Sequence, residues 1–170
     1  EHALRQAYEQ PLDEKRVLEE ILKENAQLEY AVSLCVMKIA LRDAGSMEPC
    51  RETILRLIEE RARDRFMQVY AFSEYGDLIL TYFLFDQQPF QFSDEAERLE
   101  ETLANQGTEC YFGVSRAHQD FYRLMTAFAE ADDALRYARY LEERGVVEIG
   151  QVEYTMSVPR NLSGNQNSIS

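Results

Sequence analysis

The side chains best placed to do chemistry lie in a short acidic turn, Glu74-Tyr75-Gly76-Asp77. Two carboxylates across a tight reversal can share a divalent cation, and such a cation beside a triphosphate neutralises charge during phosphoryl transfer. The plainer reading is a solvated turn, because Gly and Asp both favour reversals. Other reactive groups are sparse. His2 and His118 are the only histidines, far apart and without a Cys or His at zinc-ligand spacing, and His118 is expected in a loop. Cys35, Cys50 and Cys110 form an odd set lacking CxxC spacing, so they are expected to be reduced and structural. There is no phosphate-cradling glycine loop, no Gly-x-Ser-x-Gly and no Cys/His pair to activate a nucleophile. Tyr111, Phe112, Phe121 and Tyr122 could line a ligand pocket, but in a chain with ten Tyr, nine Phe and no Trp they read first as core packing.

The elements that must position these groups follow from periodicity. Residues 1–25 read as helix in two pieces, the second opened by Pro11, with a partly apolar stripe that includes Leu12, Val17, Leu18, Ile21 and Leu22. That stripe needs cover, either from the following domain or from its own copy in a dimer. Tyr30–Ile39 is apolar on both alternating faces, as in a strand covered on both sides. A helix is expected from Pro49, with Ile54, Leu57, Ile58 and Arg61 on one side. The runs 66–72 and 78–85 flank the acidic turn and make a β-hairpin. Ser93 is the expected N-cap of a helix over Asp94–Asn105, lined by Ala96, Leu99 and Leu103. A strand over Glu109–Ser115 leads to a long helix from about Asp120 to Glu143, stopped by Gly145, and then to a short strand at Val146–Ile149.

This order predicts an α/β fold, specifically an α+β sandwich: a mostly antiparallel central sheet with helices on both faces, preceded by an N-terminal helix. Three segments are expected: a helical linker or dimerisation segment over 1–27, one domain over 28–153, and a flexible Ser/Asn/Gly-rich tail over 154–170. A net charge of −13 opposes direct nucleic-acid binding by this segment, and no apolar run reaches the length of a bilayer crossing, so a cytoplasmic setting with no membrane contact is expected.

The helix Ala131-Asp132-Asp133-Ala134-Leu135-Arg136-Tyr137-Ala138-Arg139 resembles the Ala-Asp-x-Ala-Leu-Tyr-x-Ala-Lys helix of GGDEF domains, with its Tyr one position late. Cys110-Tyr111-Phe112-Gly113-Val114-Ser115 resembles the strand that precedes it. The likeness is closer to the degenerate GGDEF-like middle domains of bacterial AraC/YesN-type or CdaR/PucR-type transcriptional regulators, with Phe128, Ala131, Ala134, Leu135, Tyr137 and Gly145 in that pattern. The resemblance spans roughly residues 28–153. It implies a signal-relay domain, a homodimer, flanking receiver or sensor domains and a helix-turn-helix elsewhere in the full protein. The acids that would hold the cyclase's metal ions are missing from it. The first strand has no Asp or Glu between Tyr30 and Ile39, and Met37 and Lys38 stand near where the family's strand acid falls. Glu74, Gly76 and Asp77 are a remnant of the cyclase hairpin, with Leu78 where a second acid belongs. The expectation is therefore a non-catalytic domain without cofactor. The competing readings are a divergent diguanylate cyclase using GTP and Mg²⁺ through Glu74 and Asp77, and a domain that binds a small-molecule effector or nucleotide.

Overall fold

A strand that is apolar on both faces must be covered on both, and the computed structural model, which describes residues 3–5, 14–142 and 145–152, shows how. Strand β1 (Ser33–Leu41) is buried from Leu34 to Ala40. It pairs antiparallel with β3 (Asp77–Leu84) on one side and with β4 (Cys110–Val114) on the other. β2 (Met67–Glu74) completes a hairpin with β3, and β5 (Val146–Glu148) adds in parallel beside β4, giving the order β2-β3-β1-β4-β5. The helix α2 (Arg51–Arg61) links β1 to β2, and α3 (Phe92–Asn105) links β3 to β4. Each link passes over one intervening strand, so the sheet is two interleaved split β-α-β units.

The two-residue period of β1 decides which helices it meets. Cys35, Met37 and Ile39 share a core with Ile54 and Ile58 of α2 and Ala96, Leu99 and Leu103 of α3. On the opposite face, Leu34 and Val36 meet Leu124, Phe128 and Ala131 of the long helix α4 (Leu124–Leu141). The expected α+β sandwich, with a mostly antiparallel sheet and helices on both faces, is the fold observed. Among the described residues no helix is long and apolar enough to cross a membrane.

The N-terminal helix α1 (Glu14–Glu24) lies on the α4 side. Leu18 and Ile21 are buried there with Leu28, Phe72, Phe83 and Phe121, and Val17 and Leu22 pack partly buried against them. Of the two expected covers for the stripe, the chain's own core takes Leu18 and Ile21. Pro11, Leu12, His2 and the 154–170 tail lie outside the described residues.

Several boundaries differ from the sequence reading. Tyr30 belongs to a 3-10 turn over Ala26–Tyr30 and is exposed, so β1 starts three residues later than Tyr30 and runs to Leu41. Ser93 is not the N-cap, since the helix opens at Phe92, whose ring is buried against Tyr82 and Phe90. The long helix begins with a 3-10 turn over Phe121–Arg123, capped by the Asp120 carboxylate, which accepts from the Tyr122 N–H. It ends at Glu142, which takes the left-handed conformation (φ 61°) and donates its N–H to the Ala138 carbonyl; Gly145 comes too late to be the stop. His118 is more than a loop residue, because it bridges to Leu34 and its Nε2 lies 2.8 Å from Glu130 Oε1.

Candidate functional site

The hairpin turn is built from two residues with positive φ, Tyr75 (50°) and Gly76 (87°), the sense of turn whose twist suits paired antiparallel strands. The Gly76 carbonyl accepts from the Met47 N–H at 2.7 Å, and a Cβ on Gly76 would stand 2.9 Å from the Gly45 carbonyl oxygen. The turn is thus seated against the loop that follows β1. Glu74 and Asp77 face each other as the last pair of the hairpin, and their alternation with Phe72 and Ile79 puts both on the α4 side of the sheet.

Lys38 is on the same side by the same period, between Val36 and Ala40. Its neighbour on β4 is Gly113. A Cβ there would lie 2.3 Å from the Leu135 nitrogen and 2.4 Å from the Ala131 carbonyl oxygen, so only glycine lets α4 come this close. That approach brings Asp132 over Lys38. The Lys38 ammonium is 2.6 Å from Asp132 Oδ1, 3.9 Å from Glu74 Oε1 and 4.0 Å from Asp77 Oδ2. Two turns along α4 from Asp132, Arg139 reaches Asp77 Oδ1 at 3.4 Å, while Arg136 pairs with Asp132 and Asp133.

Lys38 is 8% exposed, and a buried ammonium is tolerated only with close anionic partners. Burial pushes the Asp77 carboxyl above its usual range, against the downward pull of Arg139 and Lys38. The chemistry of this arrangement is that of a carboxylate cluster already holding its cation. A divalent ion would need the same oxygens at about 2.0–2.6 Å, beside a fixed positive charge, so the residues do not fit the two-metal centre of a cyclase. Among the described residues, no three His, Cys, Asp or Glu side chains converge as metal ligands. A cleft of about 420 Å³ opens over the cluster, lined by Glu14, Lys38, Glu74, Met125, Phe128 and Asp132 among others.

The structure therefore brings Glu74 and Asp77 together with Lys38, and Gly76 shapes the turn between them. It adds Asp132 and Arg139, whose part in the site the sequence reading missed. The available signal was a single Lys inside an otherwise apolar strand. Cys35 and Cys110 are buried, their thiols pushed up to about 12 by burial, Cys50 is half-buried, and all three are free thiols. Tyr111, Phe112 and Phe121 are core residues and Tyr122 is exposed at 45%, so these four rings do not line one pocket.

No family model, no curated protein and no solved structure matches this chain.

Proposed function

We propose that this chain is a non-catalytic signal-relay domain of a bacterial transcriptional regulator, cytoplasmic, with its DNA-binding helix-turn-helix and a receiver or sensor elsewhere in a longer protein. The class of regulator rests on the resemblance of the Ala131–Arg139 helix and the Cys110–Ser115 strand to degenerate GGDEF-like domains. The non-catalytic part rests on one observation: Lys38 occupies the centre of the acidic cluster, where a nucleotide cyclase would need a strand carboxylate and metal ions.

A relay needs an element that moves and an element that feels it. Helix α1 shares one core with α4, through Leu18 and Ile21 on one side and Leu124, Phe128 and Ala131 on the other. Displacing α1 would alter the seating of α4, and with it the Asp132–Lys38 and Arg139–Asp77 contacts.

The test is incubation with GTP and Mg²⁺. No cyclic dinucleotide is expected, and product that forms with the unmodified protein and disappears in Asp77→Ala would overturn the reading. A second reading, binding of a small effector, is favoured by the cleft over Lys38. A thermal-shift screen addresses it, since a ligand at 100 times its dissociation constant stabilises by about 2.7 kcal/mol.

A further inference from the structure

Among the described residues strand β2 is an edge of the sheet, with no strand beyond it. Its even-numbered residues turn their backbone groups toward β3: the Phe66 carbonyl, just before the strand, accepts from the Phe85 N–H. The N–H and C=O groups of Met67, Val69 and Ala71 therefore face outward. Arg51 donates to the Ala71 carbonyl at 2.6 Å and so blocks the second half of the edge. Among the described residues nothing takes the outward groups of Met67 and Val69. Beside this open half lies a groove of about 620 Å³, floored by Leu55, Ile58, Met67 and Val69 and rimmed by Glu59, Glu60 and Arg63. Phe66 is 69% exposed next to it.

We propose that β2 pairs antiparallel with β2 of a second copy of this chain, making a two-fold dimer with a continuous ten-stranded sheet. Arg51 sets the register. With the Ala71 carbonyl capped, the uninterrupted open stretch is Met67 to Val69, so Met67 of one protomer stands opposite Val69 of its partner and the axis passes at Gln68. This register also puts the exposed Phe66 ring of one protomer across from Tyr70 of its partner, an aromatic cross-strand pair.

The occupant is a second copy because the surface complements itself. Glu59, in the last turn of α2, and Arg63, in the turn just past its C-terminus, are both exposed beside the groove. A two-fold axis beside them runs the two α2 helices antiparallel and allows Glu59 of each protomer to meet Arg63 of the other, twice over. The repulsion between two chains of net charge −13 acts over longer distances and is screened at physiological salt, where the Debye length is about 8 Å. The proposal is independent of the relay reading, since a cyclase with this edge would present the same surface.

Sedimentation equilibrium of the whole chain tests it. The unmodified protein should self-associate to dimer. Arg63→Glu should weaken association by about tenfold or more, and Arg63→Glu combined with Glu59→Arg should restore it to within a few-fold. A monomer at every concentration overturns the proposal and leaves the groove to a different partner; a dimer unaffected by Arg63→Glu, with that variant folded by circular dichroism, overturns the surface. Amide exchange on the unmodified protein reads the same point without mutation. The Met67 and Val69 N–H groups should be protected in concentrated solution and exchange faster on dilution, and rapid exchange of both in the dimer would also overturn it.

Discussion

Replacing Lys38 by methionine keeps most of the side-chain volume and removes the ammonium from among three carboxylates. At an effective dielectric of about 20, an ammonium and a carboxylate 4 Å apart attract by about 4 kcal/mol, and Lys38 has partners at 2.6, 3.9 and 4.0 Å. Against that attraction stands the dehydration of the ammonium, several kcal/mol that methionine does not incur. Breaking one side of a buried ion pair generally costs about 3–5 kcal/mol. The Asp132 side chain is 37% exposed and can regain water, which pulls its share toward the value of about 1 kcal/mol or less seen for surface pairs. Lys38→Met should therefore destabilise the fold by about 2–4 kcal/mol at pH 7, or roughly 5–15 °C in melting temperature for a domain of this size.

The pH dependence sharpens the test. Without the ammonium, Glu74 and Asp77 repel each other, and the Asp77 carboxyl, already raised above 3.8 by burial, rises further. An acid whose folded value lies above its unfolded value loses stability as pH increases through that interval, so the deficit should be largest at pH 7 and smaller near pH 4.5. Urea unfolding of both proteins at the two pH values measures it. A loss below about 1 kcal/mol at pH 7, or an equal loss at pH 4.5, would refute the idea that Lys38 is the cation of this cluster.

Gly113→Ala should destabilise by about 3 kcal/mol or prevent folding, because the new Cβ would overlap the backbone of α4 at Ala131 and Leu135; a melting temperature within a degree of the parent would show that α4 is not seated on the glycine. Tyr75→Asn should stabilise by a few tenths to about 1 kcal/mol, since a fully exposed Tyr at φ 50° gives up little packing and Asn tolerates that conformation, and chemical denaturation reads the sign. Asp86 should titrate at about 2 by NMR, lowered chiefly by its Arg65 hydrogen bond and further by the Phe66 and Gln88 N–H groups against the opposing effect of burial. Its contribution is complete above pH 4 and is lost as pH falls from about 4 to about 2, so Asp86→Asn should flatten the acid limb of the stability curve in that interval.

The legible parts of the fold are those carried by short-range pattern. Ile54 and Ile58, Ala96, Leu99 and Leu103, and Leu124, Phe128, Ala131, Leu135 and Ala138 all stand at helical spacing in the sequence and are all buried. The hairpin was equally plain from two β-prone runs around a Gly-Asp turn. Element ends were less so, because they depend on contacts the pattern does not contain. Phe92 opens α3 in place of Ser93 because Tyr82 and Phe90 offer its ring a partner, and Glu142 adopts a left-handed conformation three residues before the glycine that was expected to stop the helix.

By itself the sequence determined the α+β layering, the hairpin with Glu74, Gly76 and Asp77, and the absence of an acid on the first strand, since each is written in neighbouring residues. Only the tertiary structure decided that Lys38 is bound by Asp132 and stands near Glu74 and Asp77, that Arg139 reaches back to Asp77, and that Leu18 and Ile21 are buried within the chain. The reason is physical: these partners are separated by 36 to 94 positions in the chain where Lys38 is concerned, and they meet through the strand register and the close approach of α4 over Gly113.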